Sequence, residues 1–481
     1  MKEALPGITS GACWRIFTRP PECIERSRRV MNARALLLNS FEAALAAADP
    51  LRVVSPHLAS VSSCALAVKQ HEGCIRDHIR GHVEGRALVV GAGKAAAAMA
   101  QAVETHWPQE MPLSGIVLTR YGHGLPLERI RLIEAGHPLP DESGEQGARA
   151  ILAEIEKLGA GDFLLCLLSG GGSSLLSVPV TGISLNDLRD VTTQLLRSGA
   201  AIQEINTVRK HLSATAGGRL AALSRAPVLA LIISDVTGDD PTHIASGPCA
   251  PDPTTFSDAL AILEHYKINA SAAVTETLRA GVEGRLRETP KPGEAVFDQV
   301  ENRVIATAHA SLVAAAEYFC AQGIPAVVLG DSVTGEAREV AKVFAAMAKE
   351  VRQYGRPWKR PVALISGGET TVTLRENEQG YKKEGRGGRN TTFLLSLAIE
   401  LNGAANIYAL ACDTDGIDGT ENNAGALITP DSLRRATDQR MNPSSLLTCN
   451  NAYAFFEALG DLVTTGPTRT NVNDYRVILI L

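Results

Sequence analysis

Short, wholly apolar runs alternate with longer amphipathic stretches along almost the whole chain. RALVVGAGK (86–94) reads as a strand, a turn and the start of a helix. GIVLT (115–119), RIRLIE (129–134), DFLLCLLSGGGSS (162–174) and VLALIISDVTGDDP (228–241) contain further strands. The second half repeats the grammar in RVIATA (303–308), AVVLG (326–330), PVALISGGE (361–369), NIYALACD (406–413) and YRVILIL (475–481). Runs apolar on both faces and separated by helical stretches predict parallel strands covered on both sides. The expected class is therefore α/β, with mainly parallel sheets under helices.

The helical stretches carry their own signals. Leu36, Leu37, Phe41, Ala44, Leu45 and Ala48 fall on one face of a helix predicted over about 34–48. GHPLPDESGEQGARAILAEIEKL (136–158) begins as a proline-bearing loop and becomes a helix, with Asp141 or Ser143 as its N-cap. The polar, proline-bearing stretch 285–302 is the best boundary, giving expected domains over 31–290 and 300–481. Residues 1–30 hold five arginines, a Pro-Pro pair and no sustained periodicity, so a poorly ordered extension is expected; Met31 could be the true start. RENEQGYKKEGRGGRN (375–390) is polar, glycine-rich and long enough to be either mobile or functional.

Composition narrows the classes. With 481 residues, 45% of them hydrophobic, the chain can build two or three ordinary cores. A net charge of -5 and few aromatic residues argue against nucleic-acid binding. No apolar run approaches the ~18–20 residues of a membrane span. Nine cysteines without a CxxC pair disfavour both a disulfide framework and a cysteine zinc site, so a reduced, cytoplasmic protein is expected.

The chemistry-bearing segments follow the apolar runs. In VVGAGKAA (89–96), Gly91 and Gly93 form a loose dinucleotide-type turn, and Lys94 stands at a helix start. A helix N-terminus disfavours a cation, so Lys94 points to an anionic partner. The same dipole predicts that removing Lys94 leaves the free protein as stable or slightly more so. In LLSGGGSSLL (167–176), Ser169, Gly170, Gly171, Gly172 and Ser173 offer backbone N–H groups for a phosphate or carboxylate; a serine-capped turn explains the string as well. Asp235, Asp239 and Asp240 end an apolar strand, where they suit Mg²⁺, a general base or Asx-turn capping. Glu369 follows the glycines of ISGGETTV, and Arg386 and Arg389 of GRGGRN offer guanidinium forks for phosphate or carboxylate. Asp413 and Asp415 in CDTDGIDG are further metal candidates without EF-hand spacing. Asn471 and Asn473 could orient a hydroxyl or a purine edge, although turn residues explain them too. His137, His243 and His309 read as structural. The second strand ends Thr119–Arg120 and lacks the acid that holds an NAD ribose.

In this order, VVGAGKAA, GHPLPD, LLSGGGSS, INTVRKHLSATAGGRLA, SDVTGDDPTHIASGP, ISGGETTV, GRGGRN, DTDGIDG and TGPTRTNVND resemble the glycerate 2-kinase family, over about residues 34–481. The resemblance implies a Rossmann-like first domain, a second domain of the MOFRL type and a site in the cleft between them. It implies ATP-dependent phosphorylation of D-glycerate to 2-phosphoglycerate with Mg²⁺, with Lys94, Arg386 and Arg389 serving the reaction. Glycerate and nucleotide are the expected partners, and a homodimer is allowed. Three positions depart from the family: Thr391–Thr392 replace Gln-Glu, Arg469 replaces a glycine and Ala216 replaces a lysine. The rival is an NAD(P)H-dependent hydroxypyruvate reductase. A non-catalytic sugar-phosphate sensor would keep the anion loops without needing Mg²⁺ carboxylates.

Overall fold

The computed structural model describes residues 16–17, 32–62, 85–109, 111–373 and 385–481. Strand β1 (Ile16–Phe17) comes first. The next six strands are β2 (Ala87–Ala92), β3 (Leu113–Arg120), β4 (Ile130–Ala135), β5 (Phe163–Ser169), β6 (Val228–Ile233) and β7 (Val300–Ala306). They form one sheet in the order β4-β3-β2-β5-β6-β7, with every pairing parallel. β2, β5 and β6 are buried along their full length, as continuous apolar runs require. Along β2, Leu88, Val90 and Ala92 enter the core on one face, and Ala87 and Val89 the core on the other.

The second sheet takes β1 with β8 (Ala326–Gly330), β10 (Val362–Ser366), β12 (Ile407–Asp413), β13 (Gly425–Ile428), β14 (Leu462–Val463) and β15 (Asp474–Ile480). Its order is β1-β8-β10-β15-β12-β13-β14. The small ladder β9 (Gly335–Glu336) with β11 (Thr370–Thr371) lies apart from it. Here the expected strand sense needs correction: only β8 and β10 run parallel in the larger sheet. The C-terminal strand β15 inserts antiparallel between β10 and β12, a choice that an apolar run does not encode.

Sheet membership also displaces the expected boundaries. Helix Ala33–Ala46 presents Leu36, Leu37, Phe41 and Ala44 to the second sheet, beside Leu312, Phe319 and Tyr475. Ala48, two residues past it, packs in the first sheet's core. β7 closes the first sheet although it lies beyond residue 290. Within the expected N-terminal extension, Ile16–Phe17 pairs antiparallel with Val327–Ala326; its other residues lie outside the described ones. Residues 374–384 of the long polar loop also lie outside them. Asp141 caps helix Glu142–Ile155, its Oδ1 accepting from the Gly144 N–H at 2.9 Å. No helix among the described residues is long and apolar enough to cross a membrane.

Candidate active site

The C-terminal ends of β2, β5 and β6 face the C-terminal end of β12 and the start of β15. Lys94 follows β2. Its Nζ donates to Asp415 Oδ2 at 2.5 Å, so the anionic partner foreseen for this lysine is a carboxylate of the other half of the chain. Burial alone would lower the Lys94 pKa, but Asp415, Asp413 and Asp235 outweigh it and raise it. Asp415 is held below the usual carboxylate range: burial opposes this, and Lys94 prevails. Asp413 is pushed the other way, by burial and by Asp415, against the pull of Arg389 and Lys94.

Arg389 opens helix Arg389–Leu401 and is ringed by acids. Its Nε lies 2.9 Å from both carboxylate oxygens of Asp474, Nη1 lies 2.7 Å from Glu369 and Nη2 lies 2.8 Å from Asp413. Asn390 Nδ2 adds a bond to Asp474 at 2.8 Å, and the buried Arg476 also pairs with Asp474. Asp474 and Arg476 carry no glycine-loop signal. Their one clue in the sequence is the NDYR string at the start of an apolar run.

The loop after β5 accounts for most of the remaining expected residues. Gly170 packs so tightly that a Cβ there would lie 2.1 Å from Asp235 Oδ2 and 2.3 Å from Asn471 Nδ2. Asn471 donates to Asp235 Oδ2 at 3.1 Å, and Asn473 donates to the Asp235 carbonyl at 2.6 Å. The expected asparagine pair therefore orients the acid of the other sheet. Burial pushes Asp235 up to about 6; Lys94 opposes the shift and Glu369 adds to it. Gly171 sits at φ +82° against the His137 ring, and His137 Nδ1 is 2.9 Å from the Ser174 hydroxyl. Burial holds His137 down at about 3, helped by Lys94 and Arg120, so its imidazole is neutral at pH 7. Gly172 approaches Ala245, and the Ser173 and Ser246 hydroxyls meet at 2.8 Å.

Several expected roles are redirected. Gly91 lies inside β2, and a Cβ there would meet the Leu167 carbonyl at 2.5 Å; at Gly93 it would meet Ser169 Oγ at 2.1 Å. Both glycines let β2 and β5 close upon each other. Ser169 Oγ accepts the Ala95 N–H at 3.0 Å and so caps local backbone. Asp240 accepts from the Thr242 N–H at 2.9 Å, and Asp239 occupies a left-handed turn at φ 55°. Neither joins Asp413 and Asp415. Arg386 is half-exposed; it pairs with Glu421 and Glu457 and lies over the Tyr453 ring, away from Arg389's acids. Among the described residues, no three His, Cys, Asp or Glu side chains stand together as a ready metal site.

Two family models match in sequence order: a domain of unknown function (DUF4147) over residues 36–279, and the MOFRL family over residues 362–474. The chain is 37% identical over 452 residues to a "Glycerate 2-kinase" of Pyrococcus horikoshii, covering 94% of this chain and 98% of that protein. The chain belongs to the glycerate 2-kinase family. A crystal structure of glycerate kinase from Thermotoga maritima superposes with a TM-score of 0.78 at 36% identity, covering 93% of this chain and 99% of that one. The family also holds differently named members. A protein of Agrobacterium vitis named "Putative hydroxypyruvate reductase" is 48% identical over 451 residues, covering 94% of this chain and 95% of its own. Three of the departing residues have identifiable local settings. Thr391 donates to Asp418 at 2.8 Å and, with it, caps helix Arg389–Leu401. Arg469 adopts φ 61°, the left-handed conformation in which glycine costs nothing. Ala216 lines a cavity beside Ser173.

Proposed function

We propose that this enzyme transfers the γ-phosphoryl group of ATP to the 2-hydroxyl of D-glycerate, giving 2-phosphoglycerate and ADP. The observation that carries the reading is Asp235: a carboxyl at about 6, fixed by Asn471 and Asn473, beside a loop that only glycine fits and within the field of Lys94. A general base works best when its pKa lies near the working pH. In this reading the C2 hydroxyl oxygen attacks the γ-phosphorus and its proton passes to Asp235. The bond to the ADP oxygen breaks, and Lys94 balances the charge that develops on the phosphoryl oxygens.

The donor chemistry fits Mg²⁺, which takes one or two carboxylate oxygens and completes its shell with phosphate and water. Asp413 and Asp415 are the carboxylates that would hold it; when bound, it neutralises phosphate charge. Arg389 acts at one remove, keeping Asp413 and Asp474 in place.

The reductase reading has the name of the Agrobacterium vitis relatives behind it and less in the residues. β3 ends in Thr119–Arg120, with no acid for a ribose, and the Gly91 and Gly93 turn is filled by β5. Incubating the protein with ATP, Mg²⁺ and D-glycerate, and identifying the product by NMR, tests the proposal. Formation of 2-phosphoglycerate with ADP is expected. NADPH-dependent reduction of hydroxypyruvate with no ADP formed would overturn it.

A further inference from the structure

Another partly buried guanidinium lies near this cleft, and its surroundings are unlike those of Arg389. Arg209, on helix Ile202–Leu212, has no carboxylate partner among the described residues. Its Nε lies 3.5 Å from the Thr192 hydroxyl, the far limit of a hydrogen bond. Burial lowers its pKa to about 10, and no neighbouring acid acts to raise it.

Arg209 lines a small cavity, with about 20 Å³ open to water-sized molecules, together with Ser173, Ser174, Ser213, Ala216 and Ser246. The polar walls are tied to fixed partners. Ser246 Oγ donates to Asn206 at 3.2 Å and meets Ser173 Oγ; Ser174 Oγ meets His137. The positive charge extends beyond Arg209, because Lys94, Arg120 and Arg209 all press on His137. A cation partly withdrawn from water and without a counter-charge is costly unless something anionic arrives. The hydroxyl protons of Ser246, Ser173 and Ser174 are committed to Asn206, to Ser246 and to the Gly171 carbonyl, which leaves the Arg209 guanidinium as the charged donor facing the cavity.

We propose that the Arg209 cavity is the subsite for the carboxylate of the phosphoryl acceptor, a small α-hydroxycarboxylate, and that Arg209 sets the enzyme's selectivity for an acid over a neutral polyol. The proposal rests on the kinase reading and deepens it. The placement suits a short molecule. Ser173 at the cavity and Gly170 against Asp235 belong to one loop, three residues apart, a span of at most about 10 Å. A carboxylate at Arg209 thus sits on the same glycine-serine loop that packs against Asp235. Lys94 and Arg389, each already paired with acids, are left to the phosphoryl group and to the Asp413–Asp474 framework.

The test is Arg209→Gln, with Arg209→Lys as the conservative partner. A lost charge-assisted hydrogen bond predicts a rise in the KM for D-glycerate of about tenfold to a hundredfold. The KM for ATP should stay unchanged, and the lysine variant should recover part of the loss. The ligand-free thermal midpoint of Arg209→Gln should equal or exceed that of the parent, since a partly buried cation without a carboxylate partner is gone. D-glycerate should raise the midpoint of the parent but not of the variant. Calorimetric titration with D-glycerate alone separates this inference from the reading beneath it. Binding that needs Arg209, with no ADP formed on adding ATP, keeps the subsite and sinks the kinase. Turnover with an unchanged KM in Arg209→Gln keeps the kinase and sinks the subsite. No D-glycerate binding to the parent protein, or loss of ATP affinity in place of glycerate affinity, also overturns it. Should Arg209→Gln fail to fold, Ala216→Val narrows the same cavity without touching the charge. Weaker D-glycerate binding is then expected, and unchanged binding would refute the assignment.

Discussion

Two partly buried arginines, one on each side of the cleft, have opposite surroundings. Arg389 sits at the edge of the second sheet with Asp474, Asp413 and Glu369 all within 2.9 Å. Arg209 sits behind the first sheet's glycine loop with no acid at all among the described residues. Both are guanidiniums partly withdrawn from water. The first is neutralised by its own protein and is committed to holding carboxylates in place. The second is left for an anion from outside. A sequence displays both as an arginine in a polar string, and only the count of neighbouring acids tells them apart.

The largest effect should come from breaking the neutralised side. Arg389→Ala leaves Asp413 in the interior without its arginine and Asp474 with Arg476 alone, and losing one partner of a buried pair costs about 3–5 kcal/mol. Chemical denaturation should show a loss on that scale. A midpoint close to the parent's would mean that Arg476 alone neutralises Asp474.

Lys94→Ala comes next and corrects the helix-dipole argument. The dipole alone predicts no loss of stability, but the Asp415 contact at 2.5 Å reverses that expectation. The free variant should be less stable than the parent, because Asp415 stays buried beside Asp413. Turnover should fall by about 10²-fold or more, the scale for removing a preorganised charge from a transition state. A variant as stable as the parent would show that Asp415 finds another partner.

The Asp235 carboxyl sharpens the comparison through pH. Activity should fall as the pH drops below about 6, where Asp235 takes up its proton, and Asp235→Asn should abolish turnover at every pH. The sign for stability is opposite. A folded pKa raised above the unfolded value contributes stability that is full below the unfolded pKa of 3.8 and is lost as the pH rises through about 6. Denaturation of Asp235→Asn should therefore lack that loss. A rate profile flat from pH 5 to pH 8 would remove Asp235 from the role of base.

The smallest effect belongs to Arg386. Its pairs with Glu421 and Glu457 are exposed and lie away from the cleft, so Arg386→Ala should keep near-parental turnover. A collapse in turnover comparable to Lys94→Ala would place Arg386 in the reaction, as the GRGGRN string alone suggests.

The apolar runs determined much of this protein. β2, β3, β5 and β6 stand where the alternation of apolar and amphipathic stretches puts them, and Lys94 and Asp235 lie at strand C-termini because chain order fixes that locally. Hydrophobic periodicity works because each side chain's burial follows from its neighbours in sequence. Tertiary structure alone decided the rest. The run 475–481 is equally apolar whether it pairs parallel or antiparallel, and helix Ala33–Ala46 is equally amphipathic on either sheet. The pairing of Lys94 with Asp415 and of Asn471 with Asp235 joins residues 321 and 236 positions apart, and no local pattern records such distances. The glycines show the same division. Composition marks Gly91, Gly93 and Gly170 as places of close approach, but whether the approaching group is a neighbouring strand, a carboxylate or a ligand depends on what the fold brings there. Charge compensation is likewise a property of three-dimensional neighbourhood, and for that reason Arg209 looked ordinary in the sequence and Arg386 looked important.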